Sequence, residues 1–272
     1  MAPAPLPSRA PRRRAGRVTL ASTITALAAA AALLGGGAAA YLSPHLVKLL
    51  QVRRLRALCR RRGVLALTFD DGPGTYLTPR VLDVLARAGG RATFFPLGHQ
   101  ASAAAHVLDA IAAAGHEIGC HGQHHLHGWH VLPGAALRDI ATGYASLARW
   151  VPPDGLFRPP CGKLTLPTAW HLRRRGAALA WWTLDSGDTH DDMPTPQQVE
   201  DRLAREGGGV VLLHDFDRQR PDADARHAFV LETAERLLRR ARSMRLTVCR
   251  LGDVLRTGEA HGAGLSPAEA LR

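Results

Sequence analysis

The first 62 residues contain no aspartate or glutamate. They hold 12 of the 35 lysines and arginines, so the rest of the chain carries 23 basic and 23 acidic residues and is neutral. The formal charge of +12 therefore belongs to the flanks of an N-terminal segment and not to a folded basic face, which argues against a nucleic-acid partner. No GxGxxG follows the first apolar strand, which excludes a dinucleotide site. Cysteine is scarce: Cys59, Cys120, Cys161 and Cys249 have no CxxC spacing, so no zinc knot is encoded. An exported location permits disulfides among them, with three pairings open, and free buried thiols are the other reading.

Charge is also missing from residues 18–43, a run preceded by Arg12, Arg13, Arg14 and Arg17. It exceeds the roughly 20 residues needed to span a bilayer, and Ala38-Ala39-Ala40 resembles a small-residue cleavage site. The run reads as either a transmembrane anchor or a long signal peptide. A second basic cluster (Lys48, Arg53, Arg54, Arg56, Arg60, Arg61, Arg62) competes with the first under the positive-inside rule. We expect the C-terminal part to be exported, held at the cell membrane or secreted if the segment is cleaved. The chain divides into a basic disordered tail (1–17), the hydrophobic segment (18–43), a basic linker (44–62), one domain (63–256) and a flexible tail (257–272).

What is present begins at residue 64. Apolar, β-branched runs alternate with amphipathic stretches over about 190 residues. Strands are expected at 64–69, 91–97, 117–120, 156–158, 177–184, 209–213 and 246–249. Helices are expected at 78–88, 102–114, 134–150, 166–175, 196–205 and 225–240, with a closing turn at 254–255. Such alternation implies parallel strands joined by crossover helices. The fold class is α/β: an incomplete (β/α) barrel of about seven parallel strands, preceded by the N-terminal hydrophobic segment. A 46% hydrophobic content supplies its core.

Barrels of this kind carry chemistry at the C-terminal ends of their strands, and the polar groups fall there. Asp70 and Asp71 end the first strand before a Gly-Pro turn, and alternation along a strand sends them in different directions. His121 and His125 follow the third strand; at i, i+4 they share one face of a helical turn. With Asp71 they make a two-imidazole, one-carboxylate set suited to zinc or another divalent transition metal. His124, His127 and His130 are left as non-ligands, and His116 as structural. Arg158, stiffened by Pro159-Pro160, is placed to pair with a carboxylate. Asp185 is placed to hydrogen-bond His214, which ends the apolar run 209–213, and to set its tautomer. Read alone, each of these has an ordinary structural alternative; five at one edge do not.

In order, Thr68-Phe69-Asp70-Asp71-Gly72-Pro73, His121-Gly122-Gln123-His124-His125, Arg158-Pro159-Pro160-Cys161-Gly162, Asp185-Ser186-Gly187-Asp188 and Leu212-Leu213-His214 resemble the five motifs of the NodB-homology polysaccharide deacetylases, carbohydrate esterase family 4. The resemblance implies a distorted (β/α) barrel and a hydrolase that removes N-acetyl groups from the N-acetylhexosamines of a wall or chitin-like polysaccharide. It makes Asp70 the general base, Asp71, His121 and His125 the ligands of one divalent metal (Zn2+, with Co2+ or Ni2+ as alternatives), Arg158 the tether of Asp70, and Asp185 the partner of His214, the general acid. The backbone N–H of Cys161 would bind the oxyanion and Leu212 would line the acetyl pocket. Alternatives are an O-acetyl esterase on xylan or another wall polymer, and a silent membrane-anchored glycan-binding relative. A monomer is expected. The sequence departs from the family pattern at Gly122 (usually Ser or Thr), Cys161 (usually Tyr or Phe) and Thr189 (usually Trp). Cys120 and Cys161 flank the site, and a bridge between them is a further expectation.

Overall fold

The computed structural model describes residues 20–259, with side chains over 35–256. Tail 1–17, most of the hydrophobic segment 18–43 and nearly all of tail 257–272 lie outside the described residues or side chains. The chain divides into two units, 1–39 and 40–272, and the described strands all belong to the second.

The centre of that second unit is β1 (Val64–Asp70), buried along its whole length. β5 (Gly209–His214) pairs with one edge of it, in register from Leu65↔Gly209 to Asp70↔His214. The other edge is shared: β6 (Thr247–Val248) takes Val64 and Leu65, and β2 (Thr93–Phe95) takes Thr68 to Asp70. β3 (Glu117–Ile118) continues beyond β2, and β4 (Leu184–Asp185) beyond β5. Every pairing is parallel, so β1 and β5 are apolar on both faces, as covered parallel strands must be. Isolated bridges then join Cys120 to Phe157 and Phe157 to Leu179, on the segment that leads into β4, so the sheet curls back on itself as a barrel.

The described residues contain six strands. The stretches 156–158 and 177–184 fall short of the expected strands for a physical reason. Pro159 and Pro160 have no N–H to give a ladder. The second stretch changes neighbour midway: Ala180 N donates to Phe157 O, and Thr183 N to Val210 O.

The helices are α1 (Leu20–Arg62), α2 (Leu77–Ala88), α3 (Ala105–Ala113), α4 (Pro133–Ser146), α5 (Leu166–Arg175), α6 (Pro196–Glu206), α7 (Ala223–Ser243) and α8 (Leu251–Glu259). Local chemistry sets their ends. Thr195 and Gln198 form a capping box at the start of α6, and Gly176 closes α5 in the left-handed region at φ 78°. The expected turn at 254–255 lies within α8.

Residues 44–62, expected as a basic linker, are helical and continue α1. Leu55 and Cys59 are buried at helical spacing, with Val52 and Leu58 packed beside them. Gln51 Oε1 accepts from Trp181 Nε1 at 2.7 Å, and Arg56 Nη2 donates to Thr183 O at 2.9 Å. No helix among the described residues is long and apolar enough to cross a membrane, so the expected anchor finds no support there.

Candidate active site

At the end of β1 the two adjacent carboxylates do not part as strand alternation predicts. Asp71 sits in the left-handed region at φ 67°, a conformation that Asp tolerates better than most residues. The backbone turns, and both carboxylates approach the same imidazole nitrogen. His121 Nε2 lies 3.3 Å from Asp71 Oδ1 and 3.7 Å from Asp70 Oδ2. Asp70 Oδ1 is engaged elsewhere: Arg158 Nη1 donates to it at 2.8 Å and to Thr68 Oγ1 at 2.8 Å. Arg158 is fully buried, anchored through Nε to Ala180 O and seated over the Phe95 ring. Burial pushes its pKa down, and Asp70 opposes that fall. Arg158 thus fixes Asp70 and leaves Oδ2 as the oxygen turned towards the imidazole.

His121 and His125 meet at Asp71, but not through a helical turn. They lie in a loop reversed at Gly122 (φ 86°) and His125 (φ 55°). Asp139 on α4 holds the loop, accepting from Gln123 N at 3.0 Å and His124 N at 2.9 Å. A Cβ on Gly122 would sit 2.5 Å from Asp139 Oδ2, so the glycine makes room for the brace. His121 Nδ1 donates to Arg158 O at 2.7 Å, which leaves Nε2 to face the two carboxylates. His125 Nε2 lies 3.4 Å from Asp71 Oδ1. The donor atoms of Asp71, His121 and His125 lie within 4.8 Å of one another. Asp71 Oδ1 is buried without a hydrogen-bond partner although two imidazole nitrogens converge on it. A carboxylate oxygen and two imidazole nitrogens around a buried, unsatisfied atom fit a divalent transition-metal ion. Burial works against the charge on Asp71, but His121, His214 and His125 outweigh it and lower its pKa. Burial likewise lowers the pKa of His125, while on His121 the aspartates overcome burial and raise it.

On the opposite side stands His214, with Nε2 3.9 Å from Asp71 Oδ2. Its partner is Asp188, not Asp185. Asp188 Oδ1 accepts from His214 Nδ1 at 2.9 Å, and Oδ2 accepts from His214 N at 3.0 Å and Arg218 Nη2 at 3.0 Å. Among the described residues the Asp185 carboxylate accepts from Gly187 N alone, closing a turn at 2.9 Å. The chain reverses at Gly187 (φ 78°) and carries Asp188 under the histidine. Burial pulls the His214 pKa down, but Asp188, aided by Asp70 and Asp71, lifts it from 6.5 to about 9. Burial disfavours the charge on Asp188, and His214 and Arg218 more than compensate, lowering its pKa.

Cys161 lies in the short turn after Pro160, in the left-handed region at φ 53°. Its side chain is exposed while Cys120 is buried, and both are free thiols, so the expected bridge is absent. Leu212 is buried on β5. His116 is structural as expected, its Nδ1 accepting from Ala92 N at 3.2 Å. His124 stacks on His99, and His127 on His130.

Sequence reasoning missed Asp139 and Asp217 and gave Asp215, at the same strand end as His214, no role. Asp139 had no local signal. Asp215, directly after His214 at the same strand end, is buried and accepts from Thr78 Oγ1 at 2.6 Å. Asp217 caps α2 from a distant loop, accepting from Tyr76 N and Leu77 N at 2.9 Å each, where α2 has no cap of its own. Together Asp215 and Asp217 clamp the segment that follows Asp71.

A family model described as polysaccharide deacetylase matches residues 57–180. A peptidoglycan-N-acetylglucosamine deacetylase of Bacillus cereus is 29% identical over 170 residues, 62% of this chain and 80% of the relative. A chitooligosaccharide deacetylase of Bradyrhizobium sp. is 30% identical over 154 residues, 55% of this chain and 69% of the relative. Among solved structures, a family 4 carbohydrate esterase from Streptomyces lividans in complex with acetate superposes with a TM-score of 0.58 at 26% identity, covering 68% of this chain and 90% of that one. By its barrel, by the residues gathered at one strand edge and by these likenesses, the chain belongs to the polysaccharide deacetylase family.

Proposed function

We propose that the protein hydrolyses the acetamide of N-acetylhexosamine units in a cell-wall or chitin-like polysaccharide, using a divalent metal held by Asp71, His121 and His125. One observation carries this reading. A tethered carboxylate (Asp70 on Arg158) and a carboxylate-backed imidazole (His214 on Asp188) flank the same three-residue donor set from two sides.

The bound metal, Zn2+ by the donor chemistry, would polarise the acyl oxygen and acidify water at the site. Asp70 Oδ2, the oxygen that Arg158 leaves free, takes the proton of the attacking water as it adds to the acetamide carbon. The backbone N–H at Cys161 would bind the developing oxyanion; one such donor is worth about 3–4 kcal/mol. The His214 Nε2–H then protonates the departing amine as the C–N bond breaks, giving acetate and a free amino sugar. An amide requires this proton, because an amide anion is a poor leaving group. Asp188 supplies it by holding His214 protonated at neutral pH. A wall polymer as substrate places the domain outside the cytoplasmic membrane, acting as a monomer.

The test is release of acetate and free amine by the full chain from peptide-free peptidoglycan strands, chitooligosaccharides and acetylxylan, before chelation, after it, and after Zn2+ is returned. Equal acetate and amine, lost on chelation and restored by Zn2+, are expected. Acetate without amine would assign an esterase, and no release from any substrate would overturn the reading.

A further inference from the structure

The part of helix α1 that reaches the site lies before the residues that the family model matches. Residues 57–180 match the family model, yet Lys48, well before that stretch, contacts the turn that holds Cys161. Its ammonium donates to Gly162 O at 3.1 Å and lies 5.1 Å from the Trp181 ring and 4.7 Å from the Trp182 ring. The Trp182 ring in turn lies 5.7 Å from the guanidinium of Arg158, which tethers Asp70. Lys48 is therefore one aromatic ring removed from Arg158, the tether of the catalytic carboxylate. Gly162 permits this approach: a Cβ there would meet Lys48 Nζ and the far edge of Trp182, at 2.3 and 2.9 Å. A second cation, Lys163, follows in the same turn and rests 4.3 Å from the Trp129 ring, with Tyr41 and His45 of α1 packed edge-on against that ring.

No carboxylate among the described residues pairs with Lys48 or Lys163. Two ammonium groups near each other with no acid among the described residues to balance them are unfavourable in the free protein, and beside the two indole rings Lys48 has one carbonyl acceptor among those residues. Burial, with Lys163 adding, lowers the Lys48 pKa to about 8, as expected for a half-buried cation lacking a counter-charge. Such a pair gains most from an anion brought by a ligand.

We infer that Lys48 and Lys163 form a subsite for a carboxylate on the polysaccharide, so that the enzyme favours strands in which the acetamido sugar, or its neighbour, carries a carboxylic acid. The inference rests on the deacetylase reading for its substrate. It makes Lys48, which lies before the residues that the family model matches, a determinant of specificity. An alternative role is a strut: Lys48 would merely hold the Gly162 turn in place.

The test compares wild-type full-length protein with Lys48→Gln and Lys163→Gln on two substrates, peptide-free glycan strands with free lactyl carboxylates and the same strands after reduction of those carboxylates to alcohols. The readout is the ratio of kcat/KM between the two. Each substitution is expected to lower that preference about tenfold through KM, and added salt to lower it in the wild type. A strut would lower kcat/KM on both strands by one factor, and an unchanged ratio overturns the proposal. Binding of both strands is also followed through tryptophan fluorescence in metal-free protein, where no turnover is needed. If acetate release fails on every substrate while Lys48→Gln still weakens binding of the carboxylated strand alone, the subsite stands and the deacetylase reading falls. If the substitution leaves that binding unchanged, the subsite falls.

Discussion

Replacing Asp188 with Asn tests the acid half of the site. The substitution keeps the shape and one acceptor but removes the charge 2.9 Å from His214 Nδ1. Against the pull of burial, that charge is the chief cause of the rise in the His214 pKa from 6.5 to about 9. A rise of that size corresponds to about 3 kcal/mol of preference for the protonated ring. His214 is an effective acid while protonated, so wild-type kcat should hold through neutral pH and fall as pH passes about 9. In Asp188→Asn the alkaline limb should move below pH ~7, with kcat at pH 8 reduced on the order of a hundredfold. Asp185→Asn removes only a turn hydrogen bond and should cost less than about tenfold, with the limb unmoved. Asp188 also balances buried Arg218, so its loss should destabilise the fold by about 3–5 kcal/mol. Rates are therefore compared below the melting transition, with folding checked by circular dichroism. A larger loss in Asp185→Asn, or an alkaline limb that stays put in Asp188→Asn, would refute the assignment.

Two buried groups around the site give further expected outcomes. Burial, with Asp70 and Asp71 adding to it against the Thr78 hydrogen bond, raises the Asp215 pKa from 3.8 to about 7. Its folded pKa lies above the unfolded one, so its contribution to stability is complete below pH ~4 and lost as pH rises to ~7. Urea unfolding at pH 4.5 and pH 8 should show Asp215→Asn gaining on wild type as pH rises, with a ceiling of about 4 kcal/mol; parallel curves would contradict this. Gly122→Ser should lower stability by about 1–3 kcal/mol and weaken metal binding, because a Cβ at φ 86° meets the Asp139 carboxylate that braces the ligand loop. A melting temperature at or above wild type would show that the loop accommodates the side chain.

Much of the site is legible in the sequence because strand ends gather side chains without further information. Asp70, Asp71, His121, His125, Arg158 and His214 converge, and parallel pairing accounts for it: Asp70 and His214 are register partners on neighbouring strands. The failures share a cause. Alternation along β1, helical spacing in the histidine loop and nearness to a strand end for Asp185 are all rules for regular backbone. At Asp71, His125 and Gly187 the chain enters the left-handed region, and those rules stop applying. Asp139 and Lys48 lie on helices remote in sequence and carry no local pattern; only the fold brings them to the loops they contact.

The separate roles of the two adjacent aspartates are the centre of the account, and metal titration of Asp70→Asn and Asp71→Asn tests them most directly. Zn2+ binding to the metal-free proteins is followed by calorimetry alongside acetate release. Asp70→Asn should bind Zn2+ within about tenfold of wild-type affinity yet release no acetate, whereas Asp71→Asn should lose at least about a hundredfold in affinity. Equal loss of Zn2+ affinity in both variants, or tight binding retained by Asp71→Asn, would contradict the assignment of Asp71 as ligand and Asp70 as base.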